Sequence, residues 1–270
     1  MNLSIAIPDS ALSDEALKLD KTRKISEIAR ACAIFKINTI YIYQDGSNKD
    51  DRNLLLLILK YLDTPQFLRK RLFPKMNDLK FAGVLHPLKI PSHITPADAK
   101  KIKKGDVREG IVVSFKGKKF VDVGINQLVQ YFGHENIGKR TTVQFKAGYP
   151  NFEIKSISKD EAPFYWGFNI KERANLFSLI SEWKGLTIVT SKKGKTAAKE
   201  QISKYTSTTK SILVVFGSPE KGVQQILGGK MSNLQNSKTL NFFPNQATET
   251  IRLEEAILGT LSIINAYNVG

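Results

Sequence analysis

Hydrophobic and polar positions follow two different rhythms along this chain, and the change between them marks its organisation. Residues 3–7 form a short apolar run that predicts a strand. Residues 21–35 place apolar side chains at helical spacing, and 39–43 read as a second strand closed by Asp45 and Gly46. Strand, helix, strand implies a parallel pair. A helix over 54–62 ends ahead of Thr64 and Pro65. From about 90 to 160 the pattern turns short and alternating, with strand candidates at 110–115, 119–124, 128–132, 141–145 and 152–157. Gly105, Gly117, Gly133, Gly138 and Gly148 supply the turns. After Pro163 the longer rhythm returns as helices over 171–183 and 197–205, strands over 186–190, 211–216 and near 239–243, and a helix over 254–267.

The chain therefore reads as an α/β domain, residues 1–89 and 161–270, interrupted by a β-rich insert over 90–160. Five short strands with glycine turns suit a small OB-like barrel, a layout that commonly binds oligonucleotides. A structural spacer or dimer arm is the other use of such an insert. In a parallel sheet the segments after the last three strands, 191–195, 217–222 and 244–248, emerge together on the carboxyl edge, where α/β proteins place ligands. Small residues there let backbone amides approach a ligand without a Cβ in the way. No Gly-x-Gly-x-x-Gly is present. Gly194-Lys195-Thr196 ends like a phosphate loop but has Val189 where the first glycine belongs, so dinucleotide and nucleoside triphosphate readings fall.

Charge narrows the partner. Forty-one Lys and Arg against 25 Asp and Glu give +16 over 270 residues, with a pI near 9.7. Such an excess attracts polyanions, nucleic acid ahead of an anionic membrane surface; a solvated basic surface without a specific partner is the blander alternative. Phe115, Phe120, Tyr131 and Phe132 in the insert offer stacking faces, although some must fill the barrel. Cys32 is the sole cysteine and falls on an apolar helix face, which predicts a core residue in an intracellular, cytoplasmic protein. His86, His93 and His134 lack metal-ligand spacing, so no metal is expected. Residues 1–8 read as a strand rather than a leader peptide. The apolar run over 54–59 is too short to cross a bilayer.

Two segments carry a resemblance. Val214-Val-Phe-Gly-Ser-Pro-Glu-Lys-Gly222 and the stretch from Asn241 to Ala256 resemble the cofactor-binding end of the SPOUT family of RNA methyltransferases. Thr64-Pro-Gln-Phe-Leu-Arg-Lys-Arg-Leu-Phe-Pro74, Phe81-Ala-Gly-Val-Leu-His-Pro-Leu88, Tyr165-Trp-Gly-Phe168 and Thr190-Ser-Lys-Lys-Gly194 are similar to an archaeal and eukaryotic branch with an inserted OB-like domain. The likeness covers most of the chain apart from the insert. It implies a SPOUT-type parallel sheet whose C-terminal segment is threaded as a trefoil knot, one of the rare exceptions to unthreaded folds. It also implies S-adenosylmethionine as cofactor, ribosomal or transfer RNA as substrate, and a homodimer packed through the knotted region.

Carried over by motif, the resemblance makes Thr190, Lys193, Phe216, Gly217, Ser218, Gly222, Asn241, Phe242, Phe243, Gln246, Ala247 and Thr248 the expected cofactor contacts. Ser218 and Ala247 stand where relatives often carry glycine, which would alter the loops. Arg30 lies where ribose-methylating relatives carry a functional arginine; its planar fork could bind a phosphate or stabilise an oxyanion, or else pair with Glu27. Arg252 could orient substrate or a cofactor carboxylate, with Glu254 and Glu255 favouring the helix N-terminus. Transfer to a ribose oxygen or base nitrogen is the expected reaction. A non-catalytic RNA-binding or assembly protein with the same fold is the alternative.

Overall fold

The computed structural model describes residues 1–46, 48–94 and 97–268. In chain order its elements are β1 (Asn2–Pro8), α1 (Lys18–Ile34), β2 (Thr39–Tyr43), α2 (Lys49–Asp63), α3 (Gln66–Leu72), β3 (Val107–Phe115), β4 (Lys118–Asp122), β5 (Val129–Gln130), β6 (Arg140–Ala147), β7 (Glu153–Ile157), β8 (Asn169–Arg173), α4 (Leu176–Ser181), β9 (Leu186–Thr196), α5 (Lys199–Thr208), β10 (Ser211–Val215), α6 (Val223–Leu227), β11 (Ser237–Asn241) and α7 (Leu253–Ala266). The chain divides into two compact units. One comprises Met1–Lys60, Asp78–Pro87 and Phe168–Gly270, the other Tyr61–Asn77 and Leu88–Gly167.

The first unit is built on a six-stranded sheet in the order β11-β9-β10-β1-β2-β8, every pairing parallel. The central strands are near-continuous apolar runs, as a sheet covered on both faces requires. Tyr41, Tyr43, Val189, Leu213 and Val215 pack with Leu176 and Leu179 of α4 and Val223 and Leu227 of α6, while α1 and α7 pack on each other. Cys32 is fully buried in α1, and burial pushes its thiol pKa up, so it behaves as a core residue rather than a nucleophile. One expectation is overturned: residues 171–183 are not one helix. Residues 169–173 instead pair with β2 as the sheet edge, and α4 starts only after Asn175, whose side-chain oxygen accepts from the Ser178 N–H at 2.8 Å. Edge pairing and an Asx cap defeat the helical periodicity there.

The second unit holds a five-stranded antiparallel sheet in the order β5-β4-β3-β6-β7, whose outer strands approach each other so that the sheet nearly closes. Val112, Val121, Val129, Tyr131, Val143 and Phe145 fill its interior. All five sequence-expected strands are present, β5 reduced to two residues.

Within the second unit a network of charges joins Asp63 to this sheet. Asp63 accepts from Arg140 at 2.8 Å and Lys159 at 2.7 Å; Glu109, 1% exposed, pairs with Arg140 and accepts from Trp166 Nε1 at 2.7 Å. Among the described residues no helix is long and apolar enough to cross a membrane, and no three His, Cys, Asp or Glu side chains are grouped to hold a metal ion. Removing one partner of such a buried network leaves the others uncompensated, so Arg140→Met is expected to cost about 3 kcal/mol. The measurement is native-state hydrogen exchange of the β3 and β6 amides; unchanged protection would show that the network contributes little.

Candidate functional site

The site begins with a break in a strand ladder. Val189 of β9 pairs with Thr239 of β11, but the next paired residues are Lys195 and Leu240, so residues 190–194 leave the ladder. Gly194 makes the break possible: a Cβ there would stand 2.7 Å from the Leu240 carbonyl carbon. The segment expected to be a free loop is thus a bulge inside a longer strand. The Thr190 hydroxyl donates to the Val215 carbonyl at 2.9 Å, pinning the bulge to the neighbouring strand end.

After β10, Phe216 donates its N–H to the Ala6 carbonyl at 3.0 Å and its carbonyl accepts from the Tyr43 hydroxyl at 2.7 Å. The next loop folds tightly on itself. A Cβ on Gly217 would meet the Lys221 carbonyl oxygen at 2.6 Å, while the Ser218 N–H donates to that oxygen at 2.8 Å. The third segment follows β11. Asn241 donates from its side-chain amide to the Lys192 carbonyl at 2.9 Å and accepts from the Phe243 N–H at 2.9 Å. Lys192 Nζ donates to the Glu249 carbonyl at 3.1 Å, and Gln246 donates to the Thr248 and Glu249 carbonyls at 2.9 and 3.2 Å. Bulge and loop therefore brace each other.

Together these segments and the start of α7 enclose a cavity of about 400 Å³. That is within the range of small-molecule sites. Buried Phe216, Leu240, Phe242 and Leu253 form apolar walls. Ten of the twelve residues expected at a cofactor line the cavity: Thr190, Lys193, Phe216, Gly217, Ser218, Gly222, Asn241, Phe242, Phe243 and Gln246. Ala247 and Thr248 are exposed and lie outside the lining, Thr248 acting through the carbonyl that holds Gln246. Neither Ser218 nor Ala247 has a positive φ, so the backbone at these positions does not require glycine.

Arg30 and Arg252 do not line the cavity. Arg30 donates to the Pro87 carbonyl at 3.0 Å. Arg252 lies 3.0 Å from Glu15 and 3.7 Å from Glu254; the Glu15 carboxylate, then that of Glu254, raises the pKa of its guanidinium. The Arg252 N–H donates to Glu255 at 2.9 Å, closing the first turn of α7.

Sequence reading does not single out Leu253 or Thr260, and it takes Ala256 only as a position on the packed face of the helix. Thr260 is 1% exposed, and its hydroxyl finds no hydrogen-bond partner although it sits in the cavity wall. An unpaired buried hydroxyl costs about 1–3 kcal/mol, a cost that a polar ligand atom in the cavity would remove.

Over residues 2–264 the sequence matches a protein family described as "Putative RNA methyltransferase". It is 31% identical to the human 28S rRNA (uridine-N(3))-methyltransferase across 97% of this chain and 77% of that protein. The mouse protein of the same name is 29% identical across 97% of the chain and 75% of its own length. An uncharacterised protein of Halobacterium salinarum is 29% identical across 97% of the chain and 98% of its own length.

Thr260→Val replaces the unpaired hydroxyl with a methyl group of similar shape. The ligand-free protein is expected to gain about 1 kcal/mol. A fall in Tm would mean that the hydroxyl is already bonded.

Proposed function

This chain belongs to that RNA methyltransferase family, and from this premise we propose that it uses S-adenosylmethionine to methylate a base nitrogen of structured ribosomal RNA. The relatives' names point to uridine N3, and the ribose oxygen and transfer RNA read from the sequence become the lesser options. The observation that carries the reading is the cavity between the 190–194 bulge, the 216–222 loop and the 241–246 segment. Its chemistry suits the cofactor: flat apolar walls from Phe216 and Phe242 for an adenine, a loop without side chains at Gly217 and Gly222, and the spare Thr260 hydroxyl. When bound, S-adenosylmethionine supplies an electrophilic methyl group, so the protein's own task is to align the acceptor and accommodate its lost proton. Lys192 and Lys193 on the bulge place cations where an RNA phosphate would approach.

Arg30 holds or orients the substrate rather than taking its proton, and Arg252 assists as a fixed cation. Both lie off the cavity of their own chain, which is intelligible in a homodimer that brings the α1 and α7 faces of one copy to the other's cavity. Leu17, Ile34 and Leu258, exposed on or beside those helices, are the apolar surface that favours such packing. The threaded knot is supported by the position of β11 outside β9 and the return of α7 onto α1. For the insert over 90–160, the strand order and the approach of β5 to β7 match an OB-like barrel.

Calorimetric titration with S-adenosylmethionine is expected to give one site per chain. Gly217→Ala should weaken binding at least tenfold because its Cβ displaces the 217–222 backbone, and Gln246→Ala should weaken it less. Arg30→Ala should retain binding and lose transfer, read as loss of the reverse-transcription stop that an N3-methyl group imposes. A folded protein that binds RNA but no cofactor would establish the assembly-protein reading instead.

A further inference from the structure

A second recognition surface lies on the antiparallel sheet, away from any role given to the cavity. The two faces of β3, β4 and β5 are chemically opposite. Val112, Val121, Val129 and Tyr131 point inward and are buried. Residues opposite one another across the ladders share a face: Phe115 opposes Lys118, Val113 opposes Phe120, and Phe120 opposes Gln130, with Phe132 continuing the alternation. The outer face thus carries three aromatic rings. Phe132 is 83% exposed and Phe115 50%, and Phe115 meets Phe120 edge-on with centroids 5.8 Å apart. Of the four aromatics read from the sequence as stacking candidates, Tyr131 is the one that fills the interior.

Two bare phenylalanines on one small surface are costly in water unless something covers them. Their neighbours say what. Lys116 stands over the Phe115 ring at 5.5 Å, Lys118 is exposed beside it, and Lys118, Gln130 and Phe132 border a depression of about 400 Å³ with Lys119, Tyr131 and Gly133. Among the described residues neither Lys116 nor Lys118 takes part in an ion pair, while nearby in sequence Glu135 accepts from Tyr131 and from Ser156 at 2.6 Å and Asp122 pairs with Arg71 at 3.0 Å. Flat apolar rings interleaved with uncompensated lysines match a chain of exposed bases on a phosphate backbone. A duplex offers no free base faces and an acidic peptide offers none to stack.

We infer that the outer face of β3–β5 binds an unpaired, single-stranded segment of RNA, with Phe132 and Phe115 stacking bases and Lys116 and Lys118 contacting phosphates. The inference rests on the RNA reading above but concerns a different surface and a different property, the strandedness of the bound segment. It makes this sheet the element that selects unpaired regions of a structured RNA, independently of the chemistry in the cavity.

Fluorescence anisotropy with the full chain, a labelled single-stranded RNA decamer and a duplex of the same sequence provides the test. The single strand is expected to bind more tightly, and Phe132→Ala, a substitution at an exposed position that should not disturb folding, should weaken it about tenfold. Phe115→Ser should act in the same direction. Lys118→Ala should lower affinity and flatten the salt dependence, whereas Lys146→Ala, which removes the same charge from a lysine paired with Glu153, should change it little. Unaltered single-strand affinity in Phe132→Ala, or equal effects of the two lysine substitutions, overturns the inference. Failure of the wild-type protein to bind either RNA overturns the RNA reading with it, and S-adenosylmethionine binding measured on the same samples keeps the cavity's role separate.

Discussion

The register break between β9 and β11 is the constraint on which the candidate site rests. A parallel ladder that continued from Val189 and Thr239 would have laid residues 190–194 flat against β11 and left no space at the sheet edge. Leaving the ladder sets five residues free, and groups on two of them bond to neighbouring segments instead. The Lys192 carbonyl takes the Asn241 amide, the Lys192 ammonium takes the Glu249 carbonyl, and Thr190 takes the Val215 carbonyl. The same break that opens the cavity therefore supplies the bonds that hold its walls, and Gly194 is the residue that permits it.

Much of this was legible before any coordinates. The central strands were read from apolar runs because both faces of a parallel sheet are buried, and 39–43 was placed to the residue. Ten cavity residues follow from the family resemblance of their motif segments, and the place of those segments after parallel strands accounts for their meeting at one edge. The failures have equally local causes. Residues 171–173 fall inside a helix expected over 171–183, but spacing carries no information about a strand partner far back in the chain at residues 39–43. The bulge at 190–194 was taken for a loop because register lives in the partner strand. Thr260 was invisible because a hydroxyl on an apolar helix face looks like packing until its missing partner is known.

The two arginines illustrate how far a motif can be carried. Arg30, expected on the first helix, lies on α1, and Arg252 caps the start of α7; neither lines the cavity. α1 carries a concentration of ion pairs: Lys24, 3% exposed, joins Asp14 and Glu254, and burial, then Glu254, raises the pKa of Glu27. Such a surface is ordered by its own charges, and on the same helix Arg30 is held by its bond to the Pro87 carbonyl.

The basic excess can now be divided. Lys24 and Arg140 are tied into internal pairs and contribute little to an approaching polyanion. Lys192 and Lys193 border the cavity, and Lys116 and Lys118 border the aromatic face of the second sheet. In both places cations stand at the rim and flat apolar surface lies beside them. Charge alone would favour any polyanion, and apolar surface alone any hydrophobe; the combination selects ligands that carry planar rings on or beside a charged group. A net charge of +16 is therefore less informative than its distribution, because only the lysines left without carboxylates beside aromatic surface discriminate nucleic acid from other anions.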